Sequence, residues 1–120
     1  MFTYESLDIW KLSILFAKRI YQTTDTFPKS EVFGLSSQLR RASVSISANI
    51  AEGSGATGVR DKLNYLDIAV KSALETTSEV QIALELEYIT QDIRNELYEE
   101  AEKIIRKIRS YKKFLKSDKL

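Results

Sequence analysis

The hexapeptide Gly53-Ser54-Gly55-Ala56-Thr57-Gly58 spells G-x-G-x-x-G. In dinucleotide-binding domains this pattern lets backbone amides approach a pyrophosphate, and it works only after a strand and before a helix. Here a helical pattern precedes it, no strand signal exists, and the Lys-Ser/Thr ending of a phosphate loop is absent, so no cofactor is expected. A tight turn between helices fits the glycines better. Free amides at the start of the next helix, with Arg60 beside them, could still hold an RNA phosphate. Glu75, Glu79 and Glu85 raise a second chemistry, a carboxylate-bridged metal pair inside a bundle. Such centres add histidines at Glu-x-x-His spacing, and the chain has neither His nor Cys. No metal is expected, and these glutamates fall off the apolar seam, as on a solvated face. The imidazole base and the thiol nucleophile are missing too. No catalytic residue is assigned, and an enzyme is not expected.

The third chemistry is phosphate neutralisation. Between Lys103 and Leu120 stand Lys103, Arg106, Lys107, Arg109, Lys112, Lys113, Lys116 and Lys119 against Asp118 alone, a net +7. Arg106, Arg109, Lys113 and Lys116 share one helical face and could displace counterions from a phosphate backbone. The acids Glu96, Glu99, Glu100 and Glu102 precede them. Acids early and bases late is the order a helix dipole favours, so a solvated, dipole-matched helix explains part of the pattern. Arg40 and Arg41 point about 100° apart on a helix. One is expected to pair with Glu75 or Glu79 on a neighbouring helix, the other to face solvent, RNA or a second subunit.

These residues must be carried by helices. A chain of 120 residues with one Pro and four Gly has few breakers, and its length suits a single domain over residues 1–120. Apolar residues recur at steps of three and four in four blocks. The first holds Leu7, Trp10, Ile14, Ala17 and Tyr21, with Ser6 as N-cap, and Phe27-Pro28 ends it. The second holds Leu35, Leu39, Ala42, Ile46 and Asn49, with Ser30 as cap. The third runs through Val59, Leu63, Leu66, Val70, Ala73, Thr77, Val80 and Leu84, a coiled-coil seam on a helix roughly 42 Å long. Thr90 caps the fourth, whose stripe is Ile93, Leu97, Ala101, Ile104, Ile108, Tyr111 and Leu115. Short links near 25–29, 53–57 and 88–90 make neighbours antiparallel, which gives an all-α, up-down-up-down four-helix bundle.

The second helix lacks a charged face. From Ala42 to Ala51 no residue is charged, whereas a lone bundle helix shows water a polar, mostly charged side. Ser43, Ser47 and Ala51 lie four apart on one side, and Val44 and Ile50 add apolar area. The expected explanation is a contact surface joining copies of the chain, with Ser43, Val44, Ser47 and Ala51 at its centre. Asn49, on the core stripe, is expected to fix register through hydrogen bonds.

Arg40-Arg41, the Ser43–Gly53 run SVSISANIAEG and the preceding FP-x-x-E-x-FGL (Phe27 to Leu35) resemble the four-helix-bundle family first noticed in intervening sequences of 23S ribosomal RNA genes. Relatives of that family include the accessory variability-determinant protein of diversity-generating retroelements. The likeness extends to Leu7–Lys11, to Leu66, Ala69, Ser72 and Glu75, and to Tyr88-Ile89. Lys71 and Glu87 depart from it, standing where glycine is common. The resemblance implies a homo-oligomer, with a pentameric barrel favoured, and association with RNA or a nucleic-acid-handling partner.

The functional expectation is a non-enzymatic, homo-oligomeric bundle that binds RNA through Arg40, Arg41, Arg60, Arg106, Arg109, Lys113 and Lys116. The alternative is a protein-binding adaptor or scaffold without direct nucleic-acid contact. No small-molecule substrate is expected. The N-terminus has acids early and no apolar signal core, and no apolar run is long enough to span a bilayer. The stripe of the basic fourth helix is already used in the bundle, which argues against membrane binding. A cytoplasmic location is expected.

Overall fold

A computed structural model describes residues 1–117. Four helices form a rod of 51 × 22 × 22 Å: α1 (Asp8–Thr24), α2 (Leu35–Gly55), α3 (Val59–Glu85) and α4 (Gln91–Ser117). Each packs against its neighbours in sequence, α1 closes against α4, and the diagonal pairs stay apart. This is the expected antiparallel bundle. Arg19 of α1 clamps the closing seam, bonding Glu100 of α4 at 2.8 Å and Glu96 one turn earlier.

The caps differ from expectation in α1 and α2. Residues Thr3–Ser6 form a 3-10 turn, Ser6 Oγ donates to the Thr3 carbonyl, and Leu7 is the N-cap of α1. Ser30 lies in a second short turn, Lys29–Glu31, and α2 starts at Leu35 after Gly34. There the Glu31 carboxylate accepts the Leu35 N–H at 3.0 Å and the Tyr88 hydroxyl at 2.8 Å. Both bonds favour the ionised form and hold the Glu31 pKa below its ordinary value. Thr90 caps α4 as expected, accepting the Ile93 N–H. At the end of α3, Glu87 takes a left-handed φ of 63°, a conformation glycine adopts without steric cost.

The core follows the expected α4 stripe from Leu97 to Ile108, with Ile93, Tyr111 and Leu115 partly buried against it, and corrects α1. Leu97, Ala101, Ile104 and Ile108 are buried, and Ile105 joins them. In α1 the buried side chains are Ile9, Ser13, Phe16, Ile20 and Thr24. Ile14, expected inside, is 41% exposed, and Tyr21 also faces outward. Helix α1 carries two apolar stripes, and the one holding Phe16 faces the core. Its polar members are satisfied locally: Ser13 donates to the Ile9 carbonyl and Thr24 to that of Ile20. In α3 Leu66, Val70, Ala73 and Val80 are buried as expected, but Val59, Leu63, Thr77 and Leu84 are only partly covered. Ala69, Ser72, Thr76 and Ala83 widen the buried arc instead.

Most of the uncharged Ala42–Ala51 run of α2 is covered by its own subunit, with Val44 and Ala48 left exposed. The buried set of the helix is Leu35, Ser36, Leu39, Ala42, Ser43, Ile46, Ser47, Ile50 and Gly53, so Ile50 is core and adds no outer surface. Small residues let both neighbouring helices approach closely. Towards α3, the Ser72 hydroxyl donates to Ser45 Oγ at 2.9 Å, and a Cβ on Gly53 would stand 3.1 Å from that of Tyr65. Asn49 is half-buried at the flank of the stripe. Its amide stays within the helix, donating to the Ser45 carbonyl and hydroxyl.

Candidate nucleic-acid interface

On α4 the core stripe of Ile104 and Ile108 leaves Arg106, Arg109, Lys113 and Lys116 on the solvent side. All four are exposed, and none makes an ion pair among the described residues. Their neighbours are used internally: Lys112 pairs with Asp67 of α3, and Lys107 stands 3.9 Å from Asp8 of α1. Lys119, the last base of the tail, lies outside the described residues.

The antiparallel pairing of α3 and α4 brings the start of α3 beside the end of α4. Val59, Arg60, Leu63, Asn64, Asp67, Lys112 and Lys116 line one groove of about 300 Å³. Arg60 and Lys116, far apart in sequence, therefore flank the same concavity. No side chain caps the α3 N-terminus after Gly58, which leaves first-turn amides and the positive end of the dipole free. Gly55 and Gly58 have open space around them and no left-handed φ. The glycine-rich segment is the end of α2 and its turn, without the strand a dinucleotide loop needs. Among the described residues no cluster of acidic side chains could hold a metal ion, and no helix is long and apolar enough to cross a membrane.

The two adjacent arginines diverge. Arg40 is spent within the subunit: it donates to Thr24 Oγ1 and Asp25 Oδ1, both at 2.8 Å, and lies 4.8 Å over the Tyr21 ring. Its partners stand at the C-terminal end of α1, in place of the expected Glu75 or Glu79, and it is half-buried. Arg41 is exposed and unpaired among the described residues. The Ser45–Ser72 pairing sets it roughly 24 Å along the axis from Arg60, so it stands apart from the basic groove.

The expected contact surface on α2 is also redistributed. Ser43 is fully buried and Ser47 nearly so, which corrects their assignment to an outer face. They follow Arg40 by three and seven residues and so turn towards α1, where small side chains let the helices close. Ala51 is half-covered; Val44 remains on the outside.

Glu79 departs most from expectation. It is 6% exposed rather than solvated, and its Oε1 has no hydrogen-bond partner. Burial pushes its pKa up to about 7, helped by the hydrogen bond and the charge of Glu75 one turn away. Charge alone suggested a wet glutamate; only the packed neighbours reveal a buried one.

Residues 5–110 match the family described as 23S rRNA-intervening sequence protein. The chain belongs to this family. A solved structure from Bacteroides thetaiotaomicron VPI-5482, a protein with unknown function from the S23 ribosomal protein family, is similar. It superposes with a TM-score of 0.78 at 30% identity, covering 88% of this chain and 98% of that one. No curated protein matches the chain in sequence. The family match spans α1, α2, α3 and most of α4, including Arg60, Arg106 and Arg109, and stops before Lys113 and Lys116. Those two cations rest on this chain's own sequence and geometry.

Proposed function

We propose that this member of the 23S rRNA-intervening sequence protein family is a cytoplasmic, non-enzymatic homo-oligomer, a pentameric ring by family resemblance, that binds single-stranded RNA. The RNA backbone runs along Arg106, Arg109, Lys113 and Lys116 of α4 and places a phosphate at Arg60 and the α3 N-terminus. The observation that carries this reading is the convergence of Arg60 and Lys116 on one groove. Their charges are unneutralised within the described subunit, so a phosphate can release counterions there. Family names that point to ribosomal RNA favour RNA over other polyanions.

The groove gives the first test. Arg60→Ser combined with Lys116→Ser is expected to weaken binding of a labelled single-stranded RNA about tenfold at low salt, each lost phosphate contact reducing counterion release. The circular dichroism of the variant should match the parent, since both side chains are exposed. Unchanged affinity would take the groove out of the site.

A further inference from the structure

Helix α1 carries an apolar stripe that the bundle does not cover, and so does α3. On α1, Ile14, Leu15 and Tyr21 are exposed around Lys18, which makes no ion pair among the described residues. On α3, Ile68, Ile82 and Leu86 are exposed along a line that also contains Glu75 and Glu79, at spacings of seven, four, three and four. Such spacings hold residues on one helix face. One stripe is apolar around a cation and the other is apolar around two carboxylates. On the acidic one Glu75 is exposed and makes no ion pair among the described residues, beside the buried Glu79.

We infer that the α1 stripe of one copy of this chain docks on the α3 stripe of a second copy, with Lys18 pairing with Glu75, the exposed member of the Glu75–Glu79 pair. This deepens the assembly proposed above and rests on it. Helices α1 and α3 occupy opposite corners of the bundle, so their outer stripes face away from each other. Contact between them is head-to-tail, and repetition of a head-to-tail contact closes a ring when the rotation between successive copies returns to its start. Ile14 and Tyr21 meet Ile68 and Ile82 and remove apolar surface from water. Glu75 is the charged group acting on Glu79; Arg41 of α2 stands level with Thr76 by the Ser45–Ser72 register, Arg94 of α4 bonds Gln81 and Asn95, and neither forms an ion pair with either carboxylate among the described residues.

The test uses charge reversal at two exposed positions, read by native mass spectrometry and light scattering over a concentration series. Lys18→Glu and Glu75→Lys should each raise the assembly midpoint at least tenfold with helical content unchanged. The double variant, which swaps the charges, should return to within about threefold of the parent, because coupled residues in contact are non-additive. If the parent assembles but the double variant loses the sum of the two single effects, the stripes are not partners and the inference fails while assembly stands. If the parent stays monomeric at 100 µM, a concentration chosen far above about 1 µM affinities, the assembly reading itself fails.

Discussion

Replacing Arg106, Arg109, Lys113 and Lys116 together by Ser should lower the affinity for single-stranded RNA by on the order of 100-fold at low salt. Each neutralised phosphate on a single strand contributes about 0.7 to the slope of log affinity against log salt, so four lost contacts should flatten that slope by about 3 per subunit. The loss should not come from unfolding. All four side chains are exposed on α4, and the buried Leu97, Ala101, Ile104, Ile105 and Ile108 that hold the helix are untouched. Ser is a weaker helix former than Lys or Arg, by a few tenths of a kcal/mol per position, too little to melt a helix of this length in a bundle. Fluorescence anisotropy on parent and variant at several salt concentrations reads both quantities. An unchanged slope would mean that these cations serve only the electrostatics of the helix.

The second large effect concerns the inside of α1. Phe16→Ala should destabilise the subunit by about 3–5 kcal/mol, the sum of lost transfer energy and the cavity left behind. Phe16 is 1% exposed, among the largest fully buried side chains. At roughly 4 °C per kcal/mol for a domain of this size, the melting midpoint should fall by about 12–20 °C. Ile14→Ala, two residues earlier and about 200° round the helix, should cost the diluted subunit less than about 1 kcal/mol because that side chain already meets water. Denaturant unfolding at low protein concentration compares the two. Equal losses would place both stripes of α1 inside the bundle and contradict the packing described here.

That contrast shows where the sequence was readable. Helix α4 and the Thr90 cap could be read directly, and α3 as a helix, although half of its expected seam is only partly covered. Their apolar residues repeat at helical spacing, and on α4 one dominant stripe faces one core. The order of the four helices followed from the short links. Helix α1 misled because Leu7, Ile14 and Tyr21 repeat as regularly as Ile9, Phe16 and Ile20, and periodicity does not say which stripe meets the core. The buried stripe also contains Ser13 and Thr24, whose hydroxyls bond the preceding turn and behave as small core residues. Helix α2 misled for a related reason: its serines look like a surface, yet Ser43 and Ser47 allow close packing within the subunit.

The candidate site was legible in part. Periodicity placed Arg106, Arg109, Lys113 and Lys116 on one face of α4, and the structure keeps them together and exposed. Arg60 joins them only through the antiparallel pairing of α3 with α4. Arg40 could not be separated from Arg41 by sequence, since its partners Thr24 and Asp25 depend on how α1 lies against α2. Glu79 was hidden for the same reason. A glutamate one turn from another reads as solvent-facing until Ser72, Thr76 and Ala83 are seen buried beside it on the same helix.

The central claim is electrostatic recognition of RNA by the α4 cations and the Arg60 groove, and its most direct test is the salt dependence of the unmodified protein. Titration into a labelled single-stranded RNA at several salt concentrations should give a linear fall of log affinity with log salt, with a slope of about −3 or steeper. Absence of binding at low salt, or binding that ignores salt, would contradict the account and turn attention to a protein partner.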